Sequence, residues 1–436
     1  MRKLLVSSML TIILFSLQAQ TWMIYNMDNS VLPSDQVKAI LCDKENRVWM
    51  ATSNGLVMKS NDNWHVYTTE HELPDNSINS LFAENSNSVT KIWISTKKGA
   101  SCVSIQEDFG IEVSTFSTSN SGIGSDSIWL ASVDNNSANW FAHGQGISGF
   151  NSEDWYLKVN SNNESNLTKV SSIASFPDGW NLFGTRGTGV ARLKMGVDGI
   201  SGASSYVVDY TGLWSDNIYS IFIDRLGNQW FGTDKGTSYH VGFETKEGWD
   251  EPALRRSTHQ VSDTVYAIRQ DKQERIWLAT PTGAVVYANQ TLYTFTIAEG
   301  LPDNAINDIS FDNAGNIWLA TNKGIASAGI DELLTGVTPL RPEARRGGIE
   351  KVYPTVANYL VNIVFSVAPN SEKVVLQVYN LNGQLIQTLF SGSLPEGSYT
   401  KSWNCSNNQG SKVQKGMYSI LLRSAKGIDT QKIIVN

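Results

Sequence analysis

One short segment recurs through most of the chain, and its spacing limits the fold more than any other feature. It stands first as Arg47-Val48-Trp49-Met50-Ala51-Thr52-Ser53-Asn54-Gly55 and returns as Lys91-Ile92-Trp93-Ile94-Ser95-Thr96-Lys97-Lys98-Gly99. Further copies are Trp230-Phe231-Gly232-Thr233 with Gly236, Trp277-Leu278-Ala279-Thr280 with Gly283, and Trp318-Leu319-Ala320-Thr321 with Gly324. Two copies are degraded: Trp140-Phe141-Ala142-His143 with Gly146, and Leu182-Phe183-Gly184-Thr185, where Leu182 replaces Trp. Successive anchors lie 44, 47, 42, 48, 47 and 41 residues apart, which makes seven units of about 45 residues.

Each unit has one internal order. A turn such as Leu301-Pro302-Asp303-Asn304 leads into an apolar strand such as Ile218-Tyr219-Ser220-Ile221-Phe222-Ile223. A polar turn, such as Asp312-Asn313-Ala314-Gly315-Asn316, precedes the Trp strand. A third strand (Ala284-Val285-Val286-Tyr287) and a fourth, aromatic one (Trp64-His65-Val66-Tyr67) end the unit. Four short strands at this period predict the blade of a β-propeller. The seventh unit runs out after Ala328 without its aromatic strand, whereas Thr21-Trp22-Met23-Ile24-Tyr25 stands orphaned at the other end. If that strand completes the last blade, the ring closes and no sheet edge stays open. The fold class expected is therefore all-β: a seven-bladed propeller over residues 20–333, with a second module behind it.

Composition narrows the function. The 436 residues are only 17% charged and carry a net charge of −7, which argues against nucleic acid as a partner. Cys42, Cys102 and Cys405 cannot all pair and are too scattered for a zinc site, and the five His share no metal-ligand spacing. No metal or cofactor is expected. Residues 1–19 read as a secretory signal: Arg2 and Lys3, an apolar run from Leu4 to Leu17, then Leu17-Gln18-Ala19 at a cleavage point. That run is short for a membrane span, and no later stretch is long enough, so no span is expected in the mature chain. Residues 334–350, with Pro339, Pro342 and Arg345-Arg346-Gly347-Gly348, read as a linker. Short strands then alternate to the C-terminus, among them Val374–Tyr379, Tyr399–Trp403 and Met417–Leu422. They predict a small Ig-like β-sandwich over 351–436.

Both regions resemble known families. Leu301-Pro302-Asp303-Asn304, Ile306, Asp312, Gly315-Asn316-Ile317-Trp318, Thr321 and Gly324 resemble the two-component-regulator propeller repeat. The resemblance covers about residues 21–333. It implies a relative of the periplasmic sensors of Bacteroidetes hybrid histidine kinases, which commonly respond to glycans. A kinase segment and a transmembrane helix are missing here, so the resemblance does not carry signal transduction with it. The tail resembles the type A sorting domain of the type IX (Por) secretion system, through Val352-Tyr353-Pro354, Val378-Tyr379-Asn380-Leu381-Asn382-Gly383, Leu394-Pro395-Glu396-Gly397-Ser398-Tyr399, Trp403, Gly416-Met417-Tyr418 and Lys432-Ile433-Ile434-Val435. That implies export across the outer membrane, with the type IX machinery as a partner through 351–436, and then release or surface attachment. Localisation would be secreted or at the outer cell surface, reached through the periplasm. An ordinary Ig-like carbohydrate-binding module is the alternative reading of the tail.

Candidate sites follow from what repeats and what varies. The recurring Trp reads as packing between blades, and the recurring Gly as a turn that needs a permissive backbone. The hairpin Asp (Asp43, Asp134, Asp224, Asp271, Asp312) reads as an Asx turn. The second recurring Asp (Asp35, Asp75, Asp126, Asp216, Asp263, Asp303) reads as a cap on its own turn. One position varies while its neighbours repeat: Lys38, Asn79, Trp129, Ser171, Tyr219, Tyr266 and Asn307. A variable position near the channel mouth is free to serve a ligand, or simply free to drift. Three aromatics and two amides suit a carbohydrate. Lys38, Asn79, Trp129, Tyr219, Tyr266 and Asn307 are therefore the candidate ligand-binding residues. No nucleophile motif selects a catalytic centre. The reading is a non-catalytic binder of a glycan or surface protein. A polysaccharide lyase or hydrolase, and a purely structural surface protein, stand as alternatives.

Overall fold

The structure is a computed structural model that describes residues 22–85, 90–105, 109–134, 138–151, 155–160, 167, 169–196, 199–207, 212–240, 249–250, 264–288, 291–335, 348–354, 356–368, 373–380, 383–424 and 427–436. The expected leader at 1–19 and Asp263 lie outside them. Seven four-stranded antiparallel sheets form the propeller. In the first blade Val37–Cys42, Val48–Thr52, Gly55–Ser60 and Asn63–Tyr67 follow one another outwards. The other innermost strands are Ile78–Asn85, Ile128–Val133, Val170–Ser175, Ile218–Ile223, Ala267–Gln270 and Ile306–Phe311. The ring closes as the orphan strand predicts: Met23–Tyr25 pairs with Gly324–Gly329, with Met23 opposite Ser327, Ile24 opposite Ala326 and Tyr25 opposite Ile325. Gly324 makes that seat possible. Its φ is 102°, and a Cβ there would lie 2.2 Å from the Tyr25 carbonyl oxygen.

The repeat motif forms one hydrogen-bonded unit. The Trp side chains are buried, as packing between blades requires. The hairpin Asp does more than make its turn. One oxygen accepts the backbone N–H four residues on, at 2.8–3.0 Å. The other accepts the indole Nε1–H of the Trp six residues on: Asp43 from Trp49 at 2.9 Å, Asp134 from Trp140 at 3.1 Å, Asp224 from Trp230 at 3.0 Å, Asp271 from Trp277 at 2.9 Å and Asp312 from Trp318 at 3.0 Å. In the second blade Glu84 takes the Trp93 indole at 2.9 Å. In the fourth blade, where Leu182 replaces Trp, Phe176 stands at the Asp position and both are fully buried. Donor and acceptor are thus lost together, the exchange that leaves no unpaired polar group behind.

The recurring Thr closes the next hairpin: Thr321 Oγ1 donates to the Gly324 carbonyl at 2.8 Å and accepts the Lys323 N–H at 3.0 Å. The second Asp set is only partly local. Asp75 and Asp303 accept from residues two further on, Ser77 and Ala305, but Asp35 and Asp126 reach eight residues back, to the N–H of Met27 and Thr118. These two hold an earlier turn against the blade instead of capping their own. A short helix, Ile330–Thr335, ends the propeller.

The C-terminal module is a β-sandwich. Gly348–Tyr353, Val361–Val367 and Gly397–Trp403 form one sheet, and Val356–Ala357, Gly427–Val435, Gly416–Ser424, Val374–Asn380 and Leu385–Gly392 the other. Trp403 is fully buried in its core and donates to the Ser406 carbonyl at 2.8 Å.

The fourth blade supplies its own test of the Asp–Trp bond. Asp224→Phe alone leaves the Trp230 indole unpaired and should cost about 1–3 kcal/mol beyond any packing change. Asp224→Phe with Trp230→Leu rebuilds the Phe176–Leu182 arrangement. In a double-mutant cycle read by urea unfolding, the double variant should be more stable than the two single losses summed. Additivity within about 0.5 kcal/mol would reject the coupling.

Candidate functional site

The variable position owes its direction to the backbone. In six blades the register between the first two strands slips by one residue at that position: between Val37 and Ala39, Ile78 and Ser80, Ile128 and Leu130, Val170 and Ser172, Ile218 and Ser220, and Ile306 and Asp308. Lys38, Asn79, Trp129, Ser171, Tyr219 and Asn307 are the extra residues of these bulges. A bulge re-aims a side chain that strict alternation would fix. All six, together with Tyr266, line a single cavity of about 1130 Å³ enclosed by the innermost strands. All are half-buried.

Three of the polar members tie blades together. Asn79 donates to the Ile128 carbonyl at 3.0 Å, Ser171 to the Ile218 carbonyl at 2.5 Å and Asn307 to the Val37 carbonyl at 2.8 Å. In each case the acceptor is the first residue of the next blade's inner strand. Lys38 reaches the second blade as well, with Nζ 3.0 Å from Ser77 Oγ and 3.3 Å from Asn79 Oδ1. Burial and the nearby Lys97 pull its pKa below the ordinary lysine value, against the pull of Asp75. Among the aromatic members, Tyr219 has one face covered by the Arg186 guanidinium. Tyr219 and Tyr266 lie 5.6 Å apart at 50°. Trp129 has its Nε1 buried without a partner, so it offers the cavity ring surface and not its N–H.

Sequence reasoning missed four charged residues of the lining: Lys169, Arg186, Arg269 and Asp308. Arg186 follows the repeat's Thr, a position held elsewhere by Ser53, Lys97, Gly144, Asp234, Pro281 and Asn322. Such variation was as visible as that of the ring. The Arg186 guanidinium stacks on Tyr219, its carbon 3.2 Å from the ring centroid, and desolvation lowers its pKa. Arg269 pairs with Asp308 at 2.8 Å across the sixth and seventh blades. Burial raises the Asp308 pKa, opposed by Arg269 and by the N–H groups of Ile309 and Ile40. Cys42 also lines the cavity, but burial pushes its thiol up to about 12, so it is protonated at neutral pH. Among the described lining residues Asp308 is the one carboxylate. The lining thus presents aromatic rings, amides and cations to one cavity.

Comparison with known proteins agrees on the fold. Residues 31–54 and 300–323 match the two component regulator propeller family, and residues 355–427 match the FlgD Ig-like domain. No curated protein matches the sequence. Among solved structures, the chain resembles the extracellular domain of a protein described as a hybrid two component system of B. thetaiotaomicron. The TM-score is 0.56 at 17% identity, over 96% of this chain and 58% of that one. It resembles PorZ, described as an essential bacterial surface component of the type-IX secretion system of Porphyromonas gingivalis, with a TM-score of 0.54 at 16% identity, over 93% and 60%. It also resembles streptogramin B lyase, with a TM-score of 0.50 at 15% identity, over 70% and 96%. The chain spans less than two thirds of the first two proteins' length. At these identities the likeness is one of fold. Among the described residues no helix is long and apolar enough to cross a membrane.

The latches predict a split among the ring residues. Asn307→Ala removes the bond to Val37 across the closure of the ring and should cost about 1–3 kcal/mol in urea unfolding. Tyr266→Phe should change stability by less than about 0.5 kcal/mol. Equal losses would show that Asn307 holds no special place between the blades.

Proposed function

We propose that the chain is an exported, non-catalytic propeller that binds a glycan, or else a surface protein, at the mouth of its central cavity. The observation that carries this reading is the ring of bulged residues. The backbone departs from regular pairing at the position that varies from blade to blade, and each departure turns a side chain into one cavity. Trp129, Tyr266 and the face of Tyr219 that Arg186 leaves uncovered supply aromatic surface, and Lys38, Asn79 and Asn307 supply polar contacts. Because the two amides are engaged between blades, the aromatic faces carry more of the affinity than the amides do. The single carboxylate among the described lining residues, already paired with Arg269, favours binding over hydrolysis.

Export rests on the two ends of the chain. Residues 1–19 act as the secretory signal, and residues 351–436 address the propeller to the type IX machinery. The fold-level likeness to PorZ and to the extracellular domain of a hybrid two component system supports a place outside the cell.

Two experiments test the reading. A glycan array with the recombinant propeller identifies a ligand. Tyr219→Ala and Tyr266→Ala should then lower affinity about 5–150-fold, the range of a hot-spot aromatic, with little loss of melting temperature. Trp318→Ala should destabilise the fold by about 3–5 kcal/mol, as core Trp truncations do. If the tyrosine variants melt as early as Trp318→Ala while affinity per folded molecule stays constant, the ring is structural. For export, a chain lacking 351–436, expressed in a host with a type IX system, should accumulate in the periplasm. Its undiminished appearance outside the cell would refute the sorting role.

A further inference from the structure

The cavity is basic within an acidic chain. Among the described residues four cations line it, Lys38, Lys169, Arg186 and Arg269, against one carboxylate, Asp308, which Arg269 already neutralises. The chain as a whole carries a net charge of −7. Among the described residues, no carboxylate lies within ion-pair distance of Lys38, Lys169 or Arg186. Asp75 and Asp234 act on Lys38 and Arg186 from beyond ion-pair distance; Asp75 lies 3.9 Å from Lys98, and one oxygen of Asp234 accepts from the Asn217 amide at 2.8 Å. Lys97 adds a further positive charge beside Lys38. A concave wall of one sign focuses its field on whatever enters.

Two of the cations without a carboxylate partner, Lys169 and Arg186, come from the fourth blade, where the Arg186 backbone N–H donates to the Lys169 carbonyl at 3.2 Å, and Arg186 reaches Tyr219. Arg186 holds its guanidinium 3.2 Å from the centre of that ring, so its planar fork is held in place at an exposed position of the cavity wall. A pre-oriented guanidinium is the side chain best matched to a planar carboxylate or to two oxygens of a sulfate. Lys169 is exposed and has a left-handed backbone, φ 58°, which none of its six counterparts in the repeat shares.

Resting on the binding role proposed above, we propose that the ligand is an acidic oligosaccharide, with Arg186 binding the carboxylate or sulfate of one sugar and Lys38 and Lys169 supporting it. A sugar fits better than an acidic peptide. A peptide brings backbone donors and acceptors that must be paired, and it would take them from the inner strands. Three of the strand-start carbonyls at this mouth, those of Val37, Ile128 and Ile218, are already occupied by Asn307, Asn79 and Ser171. A sugar needs ring faces, which Trp129 and Tyr266 supply, and charge, which the basic wall supplies.

The test uses the full propeller with oligosaccharides of galacturonate, alginate and hyaluronan, each beside its methyl-esterified, uncharged form, and with hexaglutamate. Calorimetry should find at least one acidic sugar bound about tenfold or more tightly than its ester, and weakening as salt rises. Arg186→Gln should abolish that difference, while Arg186→Lys keeps part of it. Melting curves confirm that both variants fold. Tyr266→Ala should weaken acid and ester alike. Esters bound as tightly as acids, with binding still lost in Tyr266→Ala, would overturn the acidic class and leave the cavity reading standing. Hexaglutamate bound more tightly than every sugar would overturn the sugar class. No binding of any probe, or binding indifferent to Tyr266→Ala and Arg186→Gln, would overturn both.

Discussion

Five of the seven blades are organised by one buried pairing, the carboxylate of the first hairpin with the indole of the second strand. The Asp is shielded from water and would be costly alone, as would the Trp N–H. Together they satisfy each other, and the second carboxylate oxygen remains for the turn. One side chain thus fixes both the hairpin and the depth at which the Trp sits between blades. The fourth blade shows the rule from the opposite side. It gives up both groups, Phe176 and Leu182 fill the space, and the blade stays packed.

Blades alone do not make a ring; the interfaces must be held too. Here the latches stand in series: Lys38 to Ser77, Asn79 to Ile128, Ser171 to Ile218, Arg269 to Asp308 and Asn307 to Val37. The last of these joins the seventh blade to the first, where Met23–Tyr25 also closes the outer edge. Closure is therefore made twice, once by a strand at the rim and once by an amide at the axis. The same bulges that aim side chains inwards bring them within reach of the neighbouring strand, so holding the ring and lining the cavity fall to one set of positions.

Much of this was legible in the sequence because a repeat is its own comparison. The Trp, Thr and Gly register marks the blade count, and the missing strand after Ala328 points to Thr21–Tyr25. The Asp–Trp bond was legible in principle: the spacing of six residues recurs in five units, and the unit that lacks Trp also lacks Asp. Reading Asp as a turn residue hid it, since an Asx turn uses only one oxygen. The bulges were not legible, because a one-residue slip leaves no mark in the pattern of apolar residues. Nor was the engagement of Asn79 and Asn307 with the next blade, since their partners are backbone carbonyls 49 and 270 residues away. Arg186 was overlooked although its position varies as freely as the ring itself.

The divergence of the fourth blade has a structural reading. In the first blade Thr52 closes its hairpin onto Gly55, three residues on; Thr185 closes onto Gly189, four residues on. The longer hairpin is tied across to the fifth blade, where the N–H groups of Gly187 and Gly189 both donate to the Asp216 carbonyl at 3.0 Å. That tether stands three residues before Tyr219, the ring on which Arg186 lies. Because Phe176 and Leu182 hold the blade without a polar bond, the hairpin beside them need not keep the register that the other blades keep for their Trp. A propeller can in this way change the chemistry of its cavity by editing one blade, while the other six keep a carboxylate on their Trp and the edited blade keeps its own latch, Ser171 to Ile218.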